Sequence, residues 1–226
     1  MAFNLKEIIA ALSSEDETDR CYALENLQQI HDPDIVPRLM SALEDRSVRV
    51  REHAISIFKR EHGPVAAQAA ASLLNSENEI LRNAAIEILE GLGKSAIDVL
   101  EKYINSFSVD VRKFSIEVVG KILSNSPDSH PLVFDSLTNR LFDEDPNVSG
   151  AAAEALGFTK DDSAIPPLLE CLSRPHSSYW LQCNIIVALS RIASPKSLEA
   201  IKQIDKNQLS EEARDFLKMA LKGEPL

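Results

Sequence analysis

Cys171, His176 and Cys183 lie close together in the chain, and thiolate with imidazole is both a zinc-ligand set and the pairing a thiol nucleophile needs. Three soft ligands across a proline-containing stretch, with no fourth, fall short of either motif. Core or turn positions are the expectation for them. Glutamate precedes histidine at Glu52-His53 and Glu61-His62, while His31, His130 and His176 stand alone. Carboxylates return at Glu25, Glu87, Glu117 and Glu154, where side chains that met could share a proton or a metal ion. No Gly-rich phosphate loop or nucleophile elbow accompanies them. Whether the carboxylates can meet depends on the elements that carry them.

Those elements are repeats. Arg20, Arg51, Arg82, Arg112, Ser149, Gln182 and Arg214 occupy matching places, at intervals of 31, 31, 30, 37, 33 and 32 residues. That is the period of stacked helix pairs. Arg51-Glu52-His53-Ala54-Ile55-Ser56-Ile57-Phe58 aligns with Arg82-Asn83-Ala84-Ala85-Ile86-Glu87-Ile88-Leu89 and with Arg112-Lys113-Phe114-Ser115-Ile116-Glu117-Val118-Val119. The copy at Ser149 keeps the small residue, the glutamate and the leucine but loses the arginine, and the copies at Gln182 and Arg214 are degenerate. The punctuation predicts second helices over Thr18–Ile30, Ser47–Glu61, Glu77–Leu92, Val109–Leu123, Asn147–Phe158, Tyr179–Ala193 and Ser210–Lys222, with a first helix between each. Proline marks boundaries at Pro33, Pro64, Pro127, Pro146, Pro175 and Pro195. Pro37 and Pro166-Pro167 predict a bend or a late start in their first helices.

At about 100° per residue, with the arginine position as zero, the apolar places −1, +3, +4 and +7 form one stripe about 140° wide. The arginine falls inside that stripe. Its stem can lie along the core while the guanidinium reaches a carboxylate such as Asp45 or Asp110, or carbonyls of the adjacent repeat. Arg20, Arg51, Arg82 and Arg112 therefore read as a structural ladder. Position +5 points the other way, and there the chain carries Glu25, Ser56, Glu87, Glu117, Glu154, Val187 and Met219. Helix axes about 8–10 Å apart keep glutamates of successive repeats from sharing one ion. The stripe suits a basic peptide or the basic face of a protein; its plain alternative is a solvated helix face, with Glu117 paired to Lys121 at i+4.

The steps Val50-Arg51, Leu81-Arg82 and Val111-Arg112, the small residue after them, and the exits Leu92-Gly93 and Leu156-Gly157 resemble the HEAT family. They are most similar to the short HEAT-like repeats of phycobilisome lyase-type proteins. The resemblance covers essentially the whole chain and implies an all-α, right-handed α-α superhelix of about seven helix pairs. It also implies two kinds of role: a scaffold that binds a partner on a concave second-helix face, or a bilin lyase-like chromophore chaperone acting on phycobiliproteins. An assembly factor or regulatory subunit of an enzyme is a further alternative. Two enzymatic branches fit poorly. Deoxyhypusine hydroxylase places iron on His-Glu dipeptides, whereas both steps here run in the reverse order. The alkylpurine DNA glycosylases use a basic groove with aromatic residues, whereas Trp180 is the single tryptophan and the chain is acidic.

With 24 basic against 35 acidic side chains, a formal charge of −11 argues against a nucleic-acid backbone as partner. No apolar run is long enough for a membrane span, no signal peptide is evident, and three cysteines without a CxxC pair suit a reducing, cytoplasmic setting. The repeats are expected as one array over 1–226, at about 3–30, 32–62, 64–93, 94–123, 127–159, 161–194 and 195–222. No catalytic residue, metal or cofactor is expected, and the partner is a protein or basic peptide. Candidate contacts are Glu25, Glu87, Glu117 and Glu154, joined by Arg174, Tyr179 and Trp180 where the repeat decays. Trp, Tyr and Arg supply many binding hot spots, although Trp180 could instead fill the core of its repeat. The polar stretch Ser124–Pro131 accounts for the longest interval and is the second place where the array departs from regularity.

Overall fold

The computed structural model describes residues 5–27, 35–60, 63–174 and 178–224, and all their regular structure is helical. Pro33, Glu61, His62, Pro175 and His176 lie outside them. The helices gather into two compact units, Met1–Val99 and Leu100–Leu226, set beside the single array that the repeat spacing led one to expect.

In the first unit, first helices α1 (Leu5–Ala11), α3 (Val36–Ala42) and α5 (Pro64–Ser72) pair with second helices α2 (Glu17–Glu25), α4 (Val48–Arg60) and α6 (Glu79–Leu92). Helix α7 (Ile97–Ile104) spans the boundary. In the second unit, α8 (Val109–Asn125), α10 (Pro146–Thr159), α12 (Tyr179–Ile192) and α14 (Glu211–Lys222) are second helices, and α9 (Phe134–Arg140), α11 (Ile165–Leu172) and α13 (Pro195–Gln203) are first helices. Pro64, Pro146 and Pro195 each open a helix, as expected. Pro37 sits in the first turn of a short α3, and Pro166-Pro167 in the first turn of α11. Helix α2 stops at Glu25, well before Ile30, because Asn26 closes it: its Nδ2 donates to the Tyr22 carbonyl at 2.6 Å.

One device starts every second helix. The residue four before the arginine position is Asp16, Ser47, Asn78, Ser108, Asp145, Ser178 or Ser210, and each side chain accepts a first-turn N–H. Such a cap contributes about 1 kcal/mol. The helices then bury apolar side chains: Leu24, Leu39, Leu43 and Phe58 in the first unit, and Ile116, Leu123, Leu156, Ile185 and Leu189 in the second.

Leu156-Gly157, read above as a helix exit, is inside α10. A Cβ at 157 would lie 2.8 Å from the Ala188 Cα, so glycine is what lets α10 and α12 approach this closely. Leu92-Gly93 does close α6, with Gly93 at φ +56°. The Ser124–Pro131 stretch is shorter as a loop than its composition suggested, because α8 runs to Asn125 and a 3₁₀ turn covers Pro127–Leu132.

Candidate functional site

The arginine ladder is built from two contacts that repeat. Each guanidinium donates through Nη1 to a carbonyl five or six residues back, in the turn that starts its own helix. Arg20 reaches Ser14 and Glu15 at 2.9 Å, Arg51 reaches Asp45 at 2.7 Å, Arg82 reaches Ser76 at 2.8 Å, and Arg112 reaches Ser106 and Phe107 at 3.1 Å. Arg20 and Arg112 also cross to the next repeat. Arg20 makes a bidentate pair with Asp45 at 2.7 and 2.9 Å, and Arg112 with Asp143 at 2.9 and 2.8 Å. Asp45 is a partner as expected. Asp110 is not the partner of Arg112, because it sits in the first turn of α8 while the guanidinium points at the turn six residues before the next repeat's zero position.

That turn position is Ser14, Asp45, Ser76, Ser106 or Asp143, and in every case its side-chain oxygen accepts the N–H two residues on. Serine and aspartate do the same local job, but aspartate also offers two charged oxygens for a bidentate pair with an arginine of the preceding repeat. Gln182 keeps the crossing without charge: Nε2 donates to the Gln208 carbonyl at 3.2 Å and Oε1 accepts the Ser210 N–H at 2.9 Å. Ser149 turns back onto the Asp143 and Asp145 carbonyls. Burial works against the charged Asp143, but Arg112, the Asp145 N–H and Arg140 outweigh it and hold its carboxyl below the usual range. Asp45 is lowered against the same opposing burial by Arg20 and the Ser47 N–H.

The +5 glutamates are exposed, as their angle requires, yet each has a cationic or imidazole neighbour. Glu25 Oε1 lies 3.6 Å from His53 Nε2, Glu87 is 2.7 Å from Lys59, and Glu154 is 3.5 Å from Arg191. Glu117 pairs with Lys113, one turn back at 3.5 Å, in place of Lys121 one turn forward. Exposed pairs of this kind contribute about 0–1 kcal/mol. Pairs this exposed are open to exchange with a partner's charges.

Tyr179 and Trp180 are not core residues. They are 54% and 56% exposed, with ring centroids 6.5 Å apart and planes 78° from parallel. Arg174 does not join them; its guanidinium stacks 4.0 Å from the centroid of Phe142. Arg191 stacks likewise on Phe158, at 4.0 Å. Cys21, Cys171 and Cys183 are buried and unbridged, and burial pushes all three thiols up, the reverse of an activated nucleophile. The Cys171 thiol donates to the Leu141 carbonyl. Among the described residues, no three His, Cys, Asp or Glu side chains are grouped to hold a metal ion, and no helix is long and apolar enough to cross a membrane.

Helix pairs joined by capped turns and an arginine ladder define an α-helical repeat protein. The family model for HEAT repeats matches residues 5–90 and 134–223, well over half of the chain, and the chain belongs to that family. No curated protein is a significant match. Among solved structures, the complex of CpcE and CpcF of phycocyanin lyase from Nostoc sp. PCC7120 is similar at 18% identity and TM-score 0.50, covering 70% of this chain and 99% of that one. A designed armadillo repeat protein in complex with the peptide (KR)4 is 18% identical over 84% of this chain and all of that one, with TM-score 0.47. Human deoxyhypusine hydroxylase is 16% identical over 96% and 94% of the two chains, with TM-score 0.38. These likenesses concern the fold.

Proposed function

We propose that the protein is a non-enzymatic interaction module that docks a partner protein or peptide on the outward face of its second helices. The observation that carries this reading is the make-up of that face in the second unit. It presents Tyr179 and Trp180, each more than half exposed, beside carboxylates held only by exposed ion pairs. Large aromatic side chains left in water raise the free energy of the free protein and supply binding energy when a partner covers them. Exchangeable carboxylates supply orientation and a salt-sensitive association rate.

The test is affinity capture from extracts of the source cells. Glu117→Lys with Glu154→Lys should lower partner recovery several-fold while the far-UV CD spectrum and melting stay as in the parent. Charge reversal on first helices, at Glu170 and Lys202, should leave recovery unchanged. Equal loss from both sets, or from neither, defeats the assignment of the face. A bilin-handling role, the alternative implied by the resemblance, calls in addition for a visible-absorbance shift when a phycobilin is mixed with the protein.

A further inference from the structure

Trp180 is two residues before the zero position of its repeat, which puts it about 160° around α12 and almost opposite the apolar stripe. Asn184, at +2, falls about 40° away on the same face, and Val187, at +5, about 20° away. The indole therefore lies on the docking face itself, at the end where α12 begins. Its surroundings are unusual for this array. Gly150 on α10 lies against this corner: a Cβ there would come within 2.7 Å of Asn184 Nδ2 and 3.9 Å of Trp180 Cδ1. The Asn184 carboxamide occupies the space that a side chain at 150 would need.

Charge around this aromatic corner is mostly negative. Glu212 holds on α14 the register that Trp180 holds on α12, and it is exposed. Neighbouring second helices with axes about 8–10 Å apart set this carboxylate within one long side chain of the indole. Its charge is felt at Cys183, three residues after Trp180. Glu211 adds a second carboxylate in the same turn, and Glu154 lies one helical turn beyond Gly150 on α10. Three arginines of this region already have partners, Arg174 on Phe142, Arg191 on Phe158 and Glu154, and Arg214, whose Nε donates to the Lys206 carbonyl. An electron-rich indole face flanked by carboxylates, and left without an intramolecular cation among the described residues, attracts a positive charge from outside.

We infer that the Tyr179–Trp180 corner docks a cationic side chain, lysine or arginine, of a partner peptide, its aliphatic stem or guanidinium lying on the indole and its charge facing Glu212. This rests on the second-helix face being the docking surface and names what that face takes. Asn184, beside the indole, is placed to hydrogen-bond the peptide backbone that carries the cation.

Trp180 is the single tryptophan of the chain, so its emission reports on this corner alone. The experiment titrates the whole protein with an alternating lysine–serine octapeptide and with glutamate–serine and leucine–serine counterparts. Fluorescence and calorimetry are read in parallel at two salt concentrations. The expected result is a saturable change in Trp180 emission with the lysine peptide only, weakened by salt. Trp180→Ala, which removes a half-exposed side chain, should weaken calorimetric affinity by about 5- to 30-fold, and Trp180→Phe by less. Glu212→Gln should weaken it about 2- to 5-fold. A leucine peptide that binds and shifts the emission in place of the lysine peptide overturns the cationic assignment while leaving the docking face standing. Lysine-peptide binding that leaves Trp180 emission unchanged, or that Trp180→Ala does not weaken, overturns the site. Failure of the reading beneath it would look different: the native partner would be lost with Glu170 and Lys202 variants and not with those at Glu117 and Glu154.

Discussion

Replacing Arg112 with alanine removes four hydrogen bonds at once, two to Asp143 and two to the Ser106 and Phe107 carbonyls. Both charged side chains are buried, at 6% and 2% exposure. Breaking a buried pair costs about 3–5 kcal/mol, chiefly through the charge left behind. Asp143 is not left alone, since Arg140 still donates to it at 2.9 Å and the Asp145 N–H at 3.1 Å. The expected loss is therefore at the low end, about 3 kcal/mol, or about 6–12 °C in melting temperature. Arg51→Ala, which removes carbonyl contacts from a half-buried arginine with no aspartate partner, should cost about 1 kcal/mol. Urea unfolding followed by far-UV CD measures both. The Arg112→Ala, Asp143→Ala double-mutant cycle should show about 2 kcal/mol of coupling. A loss below about 0.5 kcal/mol for Arg112→Ala, or coupling near zero, refutes the staple. A variant that melts like the parent but no longer binds its partner would make this arginine a ligand contact instead.

Three further outcomes follow from the same geometry. Because the Asp45 and Asp143 carboxyls are held below their unfolded value, their stabilisation is complete above about pH 4 and is lost as pH falls through the folded values; acid titration of Asp143→Ala should show a shallower acid limb than the parent. Gly157→Ala should destabilise by about 1–3 kcal/mol in thermal melts although alanine is the better helix former, because the new Cβ meets the Ala188 backbone. Ser108→Ala should cost about 1 kcal/mol in urea unfolding through loss of the α8 cap.

The second helices were legible because the repeat fixes a position zero and the 3.6-residue period does the rest. Their exposed glutamates followed from angle alone. The ladder was legible as a ladder and Asp45 as one of its partners, but Asp143 was not, because Asp110 and Asp143 are both acidic residues near turns and only the three-dimensional register separates them. The useful signal was the Ser/Asp alternation six residues before zero, together with the cap four before it. Glu117 could pair one turn back or one turn forward, and spacing does not choose between Lys113 and Lys121. Trp180 shows the opposite case. Its offset of −2 already points away from the core, and although a large aromatic invites burial, the indole stays more than half exposed. Gly157 was misread as a terminator because glycine in sequence looks the same whether it ends a helix or admits a neighbour.

The docking face is tested most directly by site-specific photocrosslinking in extracts of the source cells, with the photoreactive residue at Lys121, Val187 or Met219 on second helices and at Glu170, Leu198 or Lys202 on first helices. One shared partner adduct from the second-helix positions, absent from the first-helix ones and competed by the lysine–serine octapeptide, is the predicted result. Adducts confined to the first-helix positions, or equal at both sets, would contradict it.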